Sequence, residues 1–132
     1  MTTVDWPGLR AAAAEAMRRA YSPYSNFPVG AAALVDDGRT VVGCNVENAS
    51  YGLTICAERA AVCAAVSAGV HRFRRAVVVS DADPPAAPCG ACRQVLAEFG
   101  LQLEVEAIGP AGVVAWTLAD LLPAAFVKEQ LT

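Results

Sequence analysis

At 132 residues the chain is long enough for one compact core and too short for two. Hydrophobic residues make up 55% of it and charged residues 17%, a balance that excludes a disordered tail, a linker or a low-complexity protein. The net charge is -3, and Arg10, Arg18, Arg19, Arg72, Arg74 and Arg75 are offset by acidic residues, so no basic stripe is available for a nucleic acid.

Asp5 can cap a helix whose first turn tolerates Pro7, and the alanine-rich run behind it carries strong helix formers to residue 20. Residues 21–28 (YSPYSNFP) hold two prolines, an asparagine and three aromatics, the composition of a loop. β-Rich runs at 29–35 and 40–46 flank Asp36-Asp37-Gly38, which predicts an antiparallel hairpin. Residues 45–55 are polar, aromatic and irregular, and they lead into a helix from Cys56 to about residue 67, with Gly69 at its end. The apolar run 76–80 suits a buried central strand, and 81–88 is rich in breakers. A third helix is expected from Cys89 to about residue 99, with Gly100 just beyond. Strands follow at 103–108 and 113–118, and the link Gly109-Pro110-Ala111-Gly112 is too short for a parallel crossover, so these two form a hairpin. Thr117 or Asp120 caps a last helical turn through Leu122, and Phe126 marks the expected end of the ordered part. This order predicts an α/β protein, a three-layer α/β/α sandwich on a five-stranded mixed sheet, with residues 1–132 forming a single domain.

The charged fraction falls below the roughly 25% of an average domain, so self-association into a homo-oligomer is expected to cover apolar surface. Met1 to Asp5 has neither a basic start nor an apolar segment, and no stretch approaches the roughly eighteen apolar residues of a membrane span, which predicts a cytoplasmic protein. Five cysteines in a reducing compartment point to metal or catalysis rather than a disulfide framework.

Cys89 and Cys92 form a Cys-x-x-Cys, and Cys56 opens the preceding helix. Three readings compete. A redox dithiol needs only the pair and leaves Cys56 and Glu58 without a task. Structural zinc needs a fourth protein ligand, for which Cys44, Cys63 and His71 are the spare residues. Catalytic zinc uses three cysteines, keeps the fourth position for water and has work for Glu58. At i and i+2 in a first helical turn, Cys56 and Glu58 both reach a pocket at the helix N-terminus, where a carboxylate can move a proton. Two helix dipoles aimed at one ion favour thiolates, and Arg59 or Arg93 could offset the surplus negative charge by donating to sulfur. Arg93 also reads as an ordinary exposed helix charge. Cys44 and Cys63 read as small buried hydrophobes, and His71 as an exposed residue near a helix end.

The Cys-Ala-Glu segment followed by Pro-Cys-x-x-Cys resembles the zinc nucleoside and nucleobase deaminase signature. More narrowly, the chain is similar to the small, all-cysteine, homotetrameric cytidine deaminases. The resemblance runs through Ser22-Pro-Tyr-Ser-Asn-Phe-Pro-Val-Gly, Gly43-Cys-Asn-Val-Glu-Asn-Ala-Ser-Tyr, Cys56-Ala-Glu-Arg and Pro88-Cys-Gly-Ala-Cys-Arg-Gln. It implies one Zn2+ per subunit on Cys56, Cys89 and Cys92, with Glu58 shuttling protons in hydrolytic deamination of cytidine and 2′-deoxycytidine for pyrimidine salvage. It further implies that Phe27 stacks on the pyrimidine, Asn45 and Glu47 hold ribose hydroxyls, the backbone around Ala57 reads the polar edge of the base, and Arg59 donates to ligand sulfurs. Contributions from neighbouring subunits would fall on Ala49, Tyr51 and Phe126. Read as residues alone, Phe27 suits a core lid or a stacking ring equally. Asn45 and Glu47 suit a solvated edge or a clamp, while Tyr51 and Phe126 suit packing. The alternatives are a deaminase of blasticidin S, against which the ribose clamp speaks, and a non-catalytic oligomeric module with structural zinc.

Overall fold

Residues 4–131 are described by the computed structural model; Met1 to Thr3, part of the segment read for a leader, lie outside the described residues. Helix α1 (Trp6–Met17) begins under Asp5, whose carboxylate accepts from the Gly8 amide at 2.9 Å. It stops short of residue 20 because the amides of Arg18, Arg19 and Ala20 turn to carbonyls three residues back, tightening the end. Strands β1 (Val29–Val35) and β2 (Thr40–Cys44) form the expected hairpin, with Gly38 at φ +91° in its turn. β2 is two residues shorter than expected. Val46 leaves the ladder to bridge Tyr21 and Ile55, and a 3-10 turn, Tyr51–Leu53, follows.

Helix α2 (Ala57–Ser67) ends at Gly69, φ +89°, and β3 (Phe73–Ser80) starts three residues before the apolar run. That charged start is held by partners distant in sequence: Arg74 pairs with Asp36 at 3.4 Å and Arg75 with Glu104 at 3.3 Å. Helix α3 (Gly90–Ala97) joins β3 to β4 (Glu104–Gly109), which pairs with β5 (Gly112–Thr117) in the second hairpin. Thr117 and Asp120 both contribute to the cap of α4 (Leu118–Leu121), each side chain accepting from the other's amide. Phe126 is not the end of regular structure. A further 3-10 turn, Lys128–Leu131, follows, started by the Gln130 side chain accepting from the Val127 amide at 2.9 Å.

The strand order is β2-β1-β3-β4-β5, antiparallel at every pair except β3 and β4, which run parallel across α3. Alternation along the strands separates two faces. Ala32 and Val77 meet Leu9 and Ala13 of α1, whereas Ala31 meets Ala57 and Ala61 of α2, and Ala76 and Val105 meet Val62, Leu96 and Leu121. The result is the three-layer sandwich, with α1 on one side and α2 and α3 on the other. Gly43 is what brings α2 so close, since a Cβ there would collide with the Ala57 carbonyl and the Ala61 amide. One buried-cysteine expectation is corrected. Cys63 is exposed and Cys44 half-buried, its thiol donating to the Arg19 carbonyl at 3.6 Å. The inward face of α2 is taken by Ala57, Ala61, Val62 and Ala65, so Cys63 falls outside that stripe.

Candidate active site

Each cysteine of the trio sits where a helix begins. Cys56 immediately precedes α2, Cys89 immediately precedes α3, and Cys92 lies in the first turn of α3. Helix starts carry unpaired amides and positive potential, which favour sulfur in its anionic form. The sulfurs are 3.7 Å apart for Cys56–Cys89 and 3.5 Å for Cys89–Cys92, and all three lie within 4.8 Å of one another. Zinc–sulfur bonds of about 2.3 Å in a tetrahedron place sulfurs roughly 3.8 Å apart, so the trio accepts one ion as it stands. Among the described residues this is the only such set of three or more donors, and neither Cys44, Cys63 nor His71 joins it. Structural zinc thus lacks its fourth protein ligand here, and a redox pair would have no use for the third sulfur.

Burial opposes it, yet hydrogen bonds from the Cys92 and Ala91 amides hold the Cys89 thiol below its usual range; burial and then the Glu58 charge push the Cys92 thiol up. A divalent cation among these groups offsets that repulsion. Glu58, in the first turn of α2, is 7% exposed and lies beside Cys92. Burial raises its carboxyl above the ordinary range, against the pull of its own amide, the Cys92 thiol and the Arg59 charge. A carboxyl displaced in that direction is suited to carrying a proton both ways. Arg59 donates through Nη2 to Cys56 Sγ at 3.5 Å and to the Thr54 carbonyl at 3.4 Å. Arg93 does neither of the things expected of it. It is half-buried and donates to the Pro88 and Leu121 carbonyls, because its side chain folds back over the start of α3.

A cavity of about 190 Å3 adjoins the trio, lined by Phe27, Asn45, Cys56, Ala57, Glu58 and Cys89 with an apolar wall of Val29, Val78, Ala86 and Ala87. Thr54 is shared with a second cavity of about 260 Å3, lined by Tyr24, Ser25, Glu47 and Tyr51. Asn45 is buried, its Oδ1 accepting from the Val29 amide at 2.9 Å and its Nδ2 donating to the Phe27 carbonyl at 2.9 Å. Glu47 accepts from the Tyr24 and Ser25 amides at 3.0 and 3.1 Å and from the Ser25 hydroxyl, which together hold its carboxyl below the ordinary range, the hydroxyl contributing most. Tyr51 is 75% exposed with its ring 5.8 Å from that of Tyr24. Ala49 and Phe126 are exposed and line neither cavity. Three polar residues lining the site were assigned no role by the sequence: Ser25, Thr54 and Ser80. Only Ser25 carries a local signal, a Ser-Asn-Phe turn in which its hydroxyl accepts from the Phe27 amide at 3.0 Å.

Fold and site together define a zinc-binding α/β protein with a buried carboxyl beside its cysteine cluster. Residues 8–105, which include all three cysteines, match the family described as "Cytidine and deoxycytidylate deaminase zinc-binding region". The chain is 52% identical to a cytidine deaminase of Mycobacterium tuberculosis over 99% of this chain and 96% of the other, and 48% identical to one of Sporosarcina psychrophila over 98% and 96%. Among solved structures, the cytidine deaminase of Burkholderia pseudomallei matches with a TM-score of 0.90 and 49% identity over 93% of this chain and all of that one. The chain belongs to the cytidine and deoxycytidylate deaminase family, and zinc is the metal its cysteine cluster takes. Among the described residues no helix is long and apolar enough to cross a membrane.

Proposed function

We propose that this chain, acting as one deaminase domain over residues 1–132, hydrolyses cytidine and 2′-deoxycytidine to uridine and 2′-deoxyuridine with release of ammonia, a step of pyrimidine salvage. The observation that carries this reading is the buried Glu58 carboxyl beside a three-sulfur cluster, both opening on one cavity with an aromatic ring at its rim. Cys56, Cys89 and Cys92 hold zinc, one ion per subunit. When bound, zinc supplies Lewis acidity, which makes water a nucleophile near neutral pH. Glu58 accepts the proton that the attacking water sheds, hands it to ring N3 as C4 is attacked, then takes the proton of the new C4 hydroxyl and passes it to the departing amine as the C4–N bond breaks. Arg59, donating to Cys56, drains charge from the sulfurs.

Phe27 stacks on the pyrimidine, and the backbone around Ala57 reads its polar edge. A primary amide has two N–H donors and Asn45 spends one on Phe27, so the second serves a ribose hydroxyl. Glu47 keeps an acceptor position after its three local bonds and takes another.

A homotetramer is part of the same proposal. Tyr21, Val46 and Ile55 are neighbours through two β-bridges and all exposed, and the exposed rings of Tyr24 and Tyr51 pack together in the second cavity. An apolar strip of this kind calls for a cover. Another subunit supplies it, and Ala49, Tyr51 and Phe126 then complete a neighbour's pocket. Five unpaired cysteines suit the reducing cytoplasm as its location.

The direct test is loss of cytidine absorbance on adding purified protein, with and without a zinc chelator, run beside light scattering for subunit number. Chelator-sensitive loss is expected; a zinc-loaded protein inert towards both nucleosides would overturn the reading.

A further inference from the structure

Arg93 follows Cys92 and turns its side chain back across the start of α3. Its Nε donates to the Pro88 carbonyl at 2.8 Å and its Nη1 to the carbonyl of Leu121, the last residue of α4, at 2.9 Å. Pro88 is fully buried and directly precedes Cys89. A proline has no amide, so its carbonyl is the only backbone group through which hydrogen bonding can hold that position. Leu121 is packed with Leu96, Ala97 and Leu118 in the core. One planar guanidinium therefore connects the entrance of the Cys89–Cys92 pair to the rigid interior. Gln94, the next residue, donates Nε2 to the Phe126 carbonyl at 2.8 Å, so α3 grips the C-terminal segment at two points.

We infer that Arg93 is a positioning residue of the metal centre: it fixes the backbone entering Cys89, and thereby keeps the Cys89 sulfur in register with those of Cys56 and Cys92. The inference rests on the zinc reading above. It is a role for the fork of donors rather than for the charge, since Arg93 touches no sulfur and reaches two carbonyls that point from different elements. A lysine ammonium lacks the rigid fork and does not hold both in one geometry. Groups that orient metal ligands from behind typically change metal affinity about 10- to 100-fold when removed.

The test is the rate at which the zinc-loaded full chain releases its metal to a chromophoric chelator, well below the unfolding midpoint. Arg93→Met is expected to release zinc about 10- to 100-fold faster, with Arg93→Lys in between. Leu121→Ala is the control: it removes core packing at the same corner but keeps the carbonyl, so its melting temperature falls while its release rate stays at the wild-type value. Wild-type release from either Arg93 variant overturns the inference, and so does a Leu121→Ala variant as fast as Arg93→Met, which would reduce the effect to general loosening. Should Arg93→Met not fold, Arg93→Lys decides alone. A wild-type chain that takes up no zinc overturns this inference together with the deaminase reading, whereas zinc held equally by wild type and Arg93 variants overturns this one only.

Discussion

Replacing Glu58 by Gln separates metal holding from proton transfer. The side chain is 7% exposed and packed at the start of α2, and the amide matches the carboxyl in size, so the helix start and the three sulfurs should stay in place. What is lost is the ability to take and give a proton. Positioned acid–base groups contribute about 10²- to 10⁴-fold each, and Glu58 is the one buried carboxyl lining the cavity by the trio, so it serves both the attack and the departure of ammonia. A fall in kcat at the upper end, about 10⁴-fold, follows; at about 1.4 kcal/mol per decade this is near 5.5 kcal/mol of transition-state stabilisation. Cytidine turnover by absorbance, zinc by metal analysis and a thermal melt should be read on one preparation. Zinc should remain at one ion per chain with the melting temperature close to wild type. A Glu58→Gln protein turning over within about tenfold of wild type would remove Glu58 from its role. One that has lost its zinc would show that Glu58 organises the metal site instead.

Phe27→Ala should lower kcat/KM for cytidine by about 5- to 150-fold at unchanged zinc content, the range corresponding to about 1–3 kcal/mol for stacking one base; wild-type kinetics would return Phe27 to the role of a lid. Gly43→Ala should push α2 off β2, since the new Cβ meets helix backbone, and overpacking of this kind costs about 1–3 kcal/mol. A melting temperature lower by roughly 3–15 °C, together with weakened zinc retention, is the expected pair of results. Ser25→Ala removes the hydroxyl that does most to depress the Glu47 carboxyl. A depressed folded-state value keeps Glu47 ionised, and its bonds intact, until pH falls through that lowered value, so without the hydroxyl the loss begins at higher pH. The KM for cytidine should accordingly start to climb at a higher pH on acidification than in wild type, and coincident profiles would refute the assignment.

Whatever depended on local rules was legible in the sequence. Asp5 and Thr117 cap helices because a short polar side chain reaches an amide three residues on, and Gly38 and Gly69 sit where the backbone takes positive φ. The spacing of Cys56, Glu58, Cys89 and Cys92 was informative for the same reason, since both segments begin helices and share one end of the sheet. The outward placement of Cys63 is also readable in the sequence, because Ala57, Ala61, Val62 and Ala65 form a stripe at helical spacing that leaves it out. The charged start of β3 was not, because its arginines are neutralised by Asp36 and Glu104, which only the folded sheet brings near. The inward turn of Arg93 was not either: its acceptors are carbonyls, one of them 28 residues away, and carbonyls carry no sequence identity.

Asn45 and Glu47 raise a problem of attribution that the geometry also solves. Asn45 fastens the loop at Phe27 and Val29, and Glu47 fastens it at Tyr24 and Ser25, so residues 45–47 and 24–29 form one hydrogen-bonded unit. Loss of activity in Asn45→Ala would therefore not by itself demonstrate a sugar contact, since the same change frees the backbone that carries the stacking ring. A double-mutant cycle of Asn45→Ala with Phe27→Ala separates the two. If Asn45 acts partly by holding Phe27, removing the ring first makes the second loss smaller, with a coupling of about 0.5–3 kcal/mol in kcat/KM. If Asn45 acts only on the sugar, the two effects add. The Asn45 Nδ2 bond to the Phe27 carbonyl at 2.9 Å requires coupling, and strict additivity would mean that this bond does not position the ring.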